Sequence, residues 1–348
     1  MRVRLERECG LQFELYALQE MEMKEISSVA VLGAGTMGAN IALSFAAHGI
    51  QVHLMDVSPK QLERGISTIR ENAVQLLEHG LLTEEVDHII ARVTFVAALE
   101  TAIAGVGLVL EVVPEIIEIK EQLFRKLESM TGPEVILASN TSTFVPSRLC
   151  SAFAHAETAG RFVVLHYWNP AHLIPLVEVV PHTKTAPTIL RTVKAMLDCC
   201  DKQAVVLQKE IPGFLGNRLA FALQREAMRM VADGVAMPDD IDTVVRGGFG
   251  RRMPVTGIFG TADFGGLDVY LAVCDQVFPS LCNDSAAPDI LKRLVNSGRL
   301  GMKTREGWSK YSERDIAEWQ RRVTDDLVHF ARSDLRREQG TPHPRSDR

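Results

Sequence analysis

The sequence predicts a doubly wound α/β domain, interrupted by a helical hairpin and followed by an all-α domain. Three observations carry this expectation. An apolar strand pattern, "SSVAVL" (27–32), runs into the glycine turn "GAGTMG" and the helical pattern "ANIALSFAAHG", and a second strand, "QVHLMD" (51–56), follows. That is a strand, turn, helix, strand unit. Short apolar strands then alternate with helical patterns as far as residue 208, the mark of a parallel sheet with helices on its faces. Beyond "KEIPGF" (209–214) the pattern is helical with few strand signals.

The elements follow in order. Residues 59–92 read as a long helical pattern broken by "HGLLTEE", with Thr83 and the two glutamates after it as the start of the second helix. Strand patterns follow in "RVTFV" (92–96) and "GVGLVLEVVP" (105–114), then a helix over "IIEIKEQLFRKLESM". "EVILASNTST" is a strand that ends in a polar turn, and "GRFVVLHYWNP" (160–170) and "LVEVVP" (176–181) are two more. A helix over 185–201 and the strand "QAVVLQ" (203–208) complete the set. The expected domains are an extension over 1–25, a sheet domain over 26–210, a helical domain over 211–330 and a flexible tail over 331–348. The extension has no apolar core of a signal peptide. A helix over 12–23, or a start at Met21 or Met23, are its alternatives.

A chain of 348 residues with 46% hydrophobic and 24% charged residues has the composition of a soluble globular protein. The net charge of −6, with no basic block, argues against nucleic acid as a partner. No apolar run is long enough to span a membrane. The six cysteines form no C-x-x-C pair and fit neither a zinc site nor a disulfide framework, which implies reduced thiols and a cytoplasmic setting. No metal is expected.

The glycine turn points to a dinucleotide, and the fold to the Rossmann type. Gly33 allows the tight turn, Gly35 lets a pyrophosphate approach the backbone, and Gly38 lets helix and strand pack closely. The helix that opens at Thr36 and Met37 offers free N–H groups and positive potential to phosphates. Asp56, at the end of the second strand, can accept hydrogen bonds from both ribose hydroxyls and would repel a 2′-phosphate, which favours NAD over NADP.

"LHYWNPAHLIPLVEVV" (165–180) is apolar, yet it carries His166 and Glu178, twelve residues apart. A strand, a turn at Asn169-Pro170 and a return strand would set the two side by side. A neutral histidine is a suitable base near pH 7, and a carboxylate on its far nitrogen fixes the tautomer. Taken alone, His166 also fits a core histidine bonded to a carbonyl. Glu178 between valines needs a buried partner. His172 fits a structural or a substrate-lining role.

With these motifs the sequence resembles the 3-hydroxyacyl-CoA dehydrogenase family. "VLGAGTMG", "LVLEVVPEIIEIKEQLF", "ILASNTST", "LHYWNPAHLIPLVEVV", "PGFLGNRL" and "LGMKTREGWSKY" come in the family order, from about Val29 to Tyr311. The resemblance implies His166 as base, Glu178 as its partner, and Ser142 and Asn217 on the substrate oxygen. It implies cofactor contacts at Asp56, Glu115, Lys120, Ser142, Asn169 and Lys303, with Glu111 competing for the place of Glu115. It also implies a homodimer and oxidation of a short-chain L-3-hydroxyacyl-CoA, such as 3-hydroxybutyryl-CoA, with NAD.

Departures from the family pattern leave the substrate open. The turn reads "HYWNP" rather than "HFFNP", the hairpin tip "LLEHGLLTEE" is acidic where acyl-CoA members often carry lysines, and Ile258 replaces a proline. The first resembles a side group acting on CoA-free polar substrates such as gulonate, carnitine and a pyridine carboxylate, and the second should weaken binding of a polyanion such as CoA. A small pocket lined by Trp168 and His172 would fit that group. A non-catalytic NAD-binding protein, as in the lens crystallins of this family, is the other alternative.

Overall fold

A computed structural model of the chain describes residues 25–340. The extension expected over 1–25, apart from its last residue, lies outside the described residues, and so does the end of the tail. Two units emerge: the described residues through Leu215 together with those from Asp325 on, and Gly216–Thr324.

The first unit is built on a sheet of eight strands: β1 (Ser28–Leu32), β2 (Gln51–Met55), β3 (Val93–Val96), β4 (Leu108–Glu111), β5 (Ile136–Ser139), β6 (Phe162–Tyr167), β7 (Leu176–Pro181) and β8 (Gln203–Val206). Their order is β3-β2-β1-β4-β5-β6-β7-β8. All neighbours are parallel except β6 and β7, which pair antiparallel. The order doubles back at β1, so the carboxyl ends of β1 and β4 form the crevice where such sheets bind ligands.

Helices cover both faces. They are α1 (Thr36–Ala47), α2 (Pro59–Glu78), α3 (Val86–Ala91), α4 (Leu99–Ile103), α5 (Ile117–Met130), α6 (Pro146–Cys150) and α7 (Pro187–Cys199). The strands are buried on both sides, and alternation sorts their residues. On β1, Val29 and Val31 enter one core cluster while Ala30 and Leu32 enter the other. On β6, Val163, Leu165 and Tyr167 face the first cluster, and Phe162 and Val164 the second. That parity puts His166 on the second face. In the second core Phe124 of α5 meets Phe162 edge-on at 5.2 Å between centroids. Burying a side chain of this size contributes about 1.5–3 kcal/mol.

The hairpin forms as α2 and α3, but its second helix opens at Val86 behind Glu85 rather than at Thr83. The reason is local: Glu84 is turned to Arg92, which binds both its oxygens at 2.6 and 2.7 Å. The short helices α4 and α6 carry no sequence signal, since five residues are too few to show a period.

The second unit holds α8 (Gly216–Ala232), α9 (Pro238–Gly247), α10 (Met253–Gly265), α11 (Leu267–Val277) and α12 (Asp289–Asn296). The last helix, α13 (Glu313–Gly340), begins in the second unit and ends in the first. It occupies part of the segment expected as a flexible tail. The cause is apolar: Val328 is buried in the first core cluster, and Leu327 packs against it. No single helix among the described residues is long and apolar enough to cross a membrane.

Candidate active site

The crevice begins at the glycine turn between β1 and α1. Gly33 has φ +122°, and a Cβ there would lie 2.6 Å from the Val112 carbonyl oxygen, so the turn itself requires glycine. A Cβ on Gly38 would fall 1.7 Å from the Gly33 oxygen, which fixes the close packing of α1 on the turn. Gly35 differs. Its φ of −69° suits any residue, and a Cβ there would meet nothing within 4 Å. The protein's own atoms give no reason for glycine at 35; a ligand approaching the backbone does. Thr36 is exposed at the first turn of α1, and Met37 packs against the first core cluster. Asp56 is held at the mouth, accepting from Ala34 N–H (3.0 Å) and Ser58 N–H (2.9 Å). The glycine turn, the helix N-terminus and the fixed carboxylate together fit a dinucleotide with free ribose hydroxyls.

A second polar cluster lies at the ends of β4 and β5. Lys120, buried on α5, places its ammonium 2.7 Å from Glu111 Oε1 and 3.1 Å from Glu115 Oε2. Glu111 also accepts from Ser139 Oγ (2.5 Å) and Val113 N–H (2.8 Å). Burial pushes its carboxyl up, against the pull of Lys120 and these hydrogen bonds. Glu115 is half-exposed and accepts from Thr141 Oγ1, Thr143 Oγ1 and the amides of Ser142 and Thr143. Burial works to raise it too, but the Thr141 hydroxyl and the Lys120 charge bring it below the usual carboxylate range. Glu111 and Glu115 therefore occupy different places: Glu111 is inside, and Glu115 binds the "NTST" turn that carries Ser142. Thr141, Thr143 and Ser139 escaped the sequence reading, because nothing local marks contacts across 26 to 28 residues.

His166 and Glu178 are direct partners in the antiparallel β6–β7 register. His166 Nδ1 lies 2.8 Å from Glu178 Oε2, and both residues are buried, at 4% and 1% exposure. With Glu178 ionised the bond requires Nδ1–H, and in the neutral ring the lone pair is then on Nε2. Glu178 accepts further from Leu215 N–H at Oε1 (2.8 Å) and from Trp168 Nε1–H at Oε2 (3.3 Å). The rings of Trp168 and Phe214 flank the imidazole, with centroids 5.5 and 5.4 Å away. Asn140 Oδ1 accepts from Tyr167 N–H (2.9 Å) and ties the β5 turn to the end of β6. Asn169 is exposed in the turn, before a cis bond to Pro170.

Two expected residues belong to the second unit. Asn217 lies in the first turn of α8, and Lys303 is exposed in a short 3-10 turn, Met302–Thr304. His172 lines a different cavity from the one expected. That cavity, of about 120 Å³, includes Leu43, Leu76, Lys202 and Leu335 but neither Trp168 nor His166. Ala171 and Leu173 belong to the first core cluster, so the turn after β6 has carried the chain to the other face of the sheet.

Comparison with known proteins gives the same reading. The family model "3-hydroxyacyl-CoA dehydrogenase, NAD binding domain" matches residues 28–211, and that of the C-terminal domain matches 213–311. The 5-formyl-3-hydroxy-2-methylpyridine 4-carboxylate 5-dehydrogenase of Mesorhizobium japonicum is 35% identical over 82% of this chain and 91% of its own. A probable 3-hydroxybutyryl-CoA dehydrogenase of Deinococcus radiodurans is 34% identical over 81% of this chain and 99% of its own. A crystal structure of a dehydrogenase of the same pyridine carboxylate, described as an NAD+ dependent dismutase, superposes with TM-score 0.82 at 31% identity, covering 91% of this chain and all (100%) of that one. The chain thus belongs to the 3-hydroxyacyl-CoA dehydrogenase family, NAD-dependent oxidoreductases that act on CH–OH groups, and its cofactor is NAD.

Proposed function

We propose that the protein is an NAD-dependent dehydrogenase of a CoA-free hydroxy acid or similar small polar alcohol. The observation that carries this reading is the charge state of the hairpin. Residues 59–92 hold four cations (Lys60, Arg64, Arg70, Arg92) against six carboxylates (Glu63, Glu71, Glu78, Glu84, Glu85, Asp87). Arg92 is bound to Glu84, and Arg70 to Asp87 at 2.8 Å. A polyanionic substrate arm would meet net negative charge there. The relative that acts on a pyridine carboxylate supports the same choice.

When bound, NAD supplies the hydride acceptor. His166 Nε2 takes the hydroxyl proton, and Glu178 holds the ring in the tautomer that can do so and stabilises the imidazolium that results. Ser142 steadies the charge that develops on the substrate oxygen, worth about 3 kcal/mol if it behaves as such donors do elsewhere, and the family resemblance gives Asn217 of the second unit the same role. Asp56 would hold the ribose, and the amides of Thr36 and Met37 would hold the pyrophosphate. By the family resemblance Glu115, Asn169 and, on the second unit, Lys303 would add cofactor contacts. Lys120, enclosed by two glutamates, acts by holding Glu115.

The second reading is oxidation of a short-chain L-3-hydroxyacyl-CoA, favoured by the probable 3-hydroxybutyryl-CoA dehydrogenase that matches over nearly its whole length. NADH formation with 3-hydroxybutyryl-CoA beside gulonate, carnitine and free 3-hydroxybutyrate separates the two. A homodimer goes with either. Helices α8 to α12 contain no buried residue, and Phe259 and Phe264 are 84% and 86% exposed. A second copy is the partner that would cover that apolar surface. Sedimentation of the full chain as a monomer at micromolar concentration would overturn this.

A further inference from the structure

Glu178 Oε2 accepts two hydrogen bonds at once, from His166 Nδ1–H and from Trp168 Nε1–H, at 2.8 and 3.3 Å. A carboxylate oxygen that serves a second donor has less negative charge to offer the first. The effect is large where water does not compete, and the Glu178 carboxylate is buried. We propose that Trp168 is a positioning residue that sets how strongly Glu178 holds the protonated form of His166. This rests on the reading of His166 as the base. A phenylalanine at 168 would pack against the imidazole but take the indole donor away from Oε2.

The groups that face the imidazole limit the alternatives. β7 contributes Glu178, the turn after β6 contributes Trp168, and the segment before α8 contributes Phe214 and the Leu215 amide on Oε1. The Asn140 amide meets the neighbouring Tyr167 backbone. Among these contacts Glu178 is the charged group, so a change in its hydrogen bonding passes to His166. Protonation of His166 draws charge on Oε2 toward Nδ1, and the indole N–H bond weakens in response. Removal of the indole donor should therefore strengthen the hold of Glu178 on the protonated ring.

The test needs no substrate. The chain has three tryptophans, so the indole ¹⁵N–H spectrum of the full-length protein with NAD holds few signals, and Trp168→Phe assigns the one required. The Trp168 indole signal should move with pH at the midpoint of the His166 imidazole signals, themselves assigned with His166→Gln, and the movement should vanish in Glu178→Gln. In Trp168→Phe the His166 midpoint should rise by ~0.5 pH unit or more, a threefold gain in proton affinity. An indole signal that ignores the His166 titration, or a midpoint that stays or falls in Trp168→Phe, overturns the proposal. Trp168→Leu guards against a packing effect: a rise in the leucine variant alone also overturns it. Failure of every substrate with a normal titration would instead count against the function.

Discussion

His166 Nδ1 stands 2.8 Å from Glu178 Oε2, across a register that makes the two residues direct partners on neighbouring strands. Because both are fixed by backbone pairing, the imidazole is oriented before substrate arrives. His166→Ala should lower kcat by about 10²–10⁴-fold with NAD affinity nearly unchanged. Glu178→Gln should reduce kcat while the thermal midpoint stays within a few degrees; the reverse pattern would make Glu178 a purely structural carboxylate. Steady-state kinetics beside calorimetric titration of NAD reads both.

Two neighbouring glycines should respond differently. Gly38→Ala drives a Cβ into the Gly33 oxygen and should cost about 3 kcal/mol or more of stability. Gly35→Ala meets open space and an ordinary φ, so stability should change by less than about 1 kcal/mol. Its NAD affinity should fall at least tenfold. Normal NAD binding by Gly35→Ala would show that no phosphate approaches that backbone.

Asp56 accepts two backbone N–H groups and keeps its remaining lone pairs for a ligand. Asp56→Ala should weaken NAD about tenfold or more and narrow the preference over NADP. An unchanged NAD-to-NADP ratio would place the ribose elsewhere.

His172 gives a pH signature of stability. Its Nδ1 is buried with no hydrogen-bond partner among the described residues, and burial, aided by the Lys202 charge, brings the ring from 6.5 down to about 4. Between those values the unfolded chain binds a proton that the folded chain refuses. Stability is therefore fully present above about pH 6.5 and declines as pH falls toward 4, by up to about 3 kcal/mol from this group. Lys202, pushed down to about 8 in the same cavity, titrates outside that window. His172→Leu should flatten the fall of thermal midpoint between pH 6.5 and 4 relative to wild type. Parallel curves for the two proteins would mean that the ring protonates freely in the folded state.

The sheet, the glycine turn and the His166–Glu178 pair are legible in the sequence because each rests on a short period or a local turn. Antiparallel return of β7 on β6 follows from two strand patterns around Asn169-Pro170, and the register then brings 166 to 178. What escapes is set by distance or by the path of a turn. The hydroxyls on Glu115 come from residues some 26 to 28 positions away. His172 sits six residues after His166, yet the turn delivers it to the opposite face. Trp168 is visible as an unusual residue, but its indole donor acquires meaning only once Oε2 is placed. The start of α3 shifts because Glu84 serves Arg92, at the far end of the same helix, rather than the helix start.

The most direct measurement is NADH formation by wild type and His166→Ala with gulonate, carnitine, free 3-hydroxybutyrate and 3-hydroxybutyryl-CoA. The account predicts saturable NADH formation from at least one CoA-free acid by wild type and its loss in His166→Ala. Equal rates in the two proteins would contradict His166 as the base. Saturation at micromolar acyl-CoA with silence on the free acids would contradict the substrate class, and silence on all four with intact NAD binding would contradict the dehydrogenase reading itself.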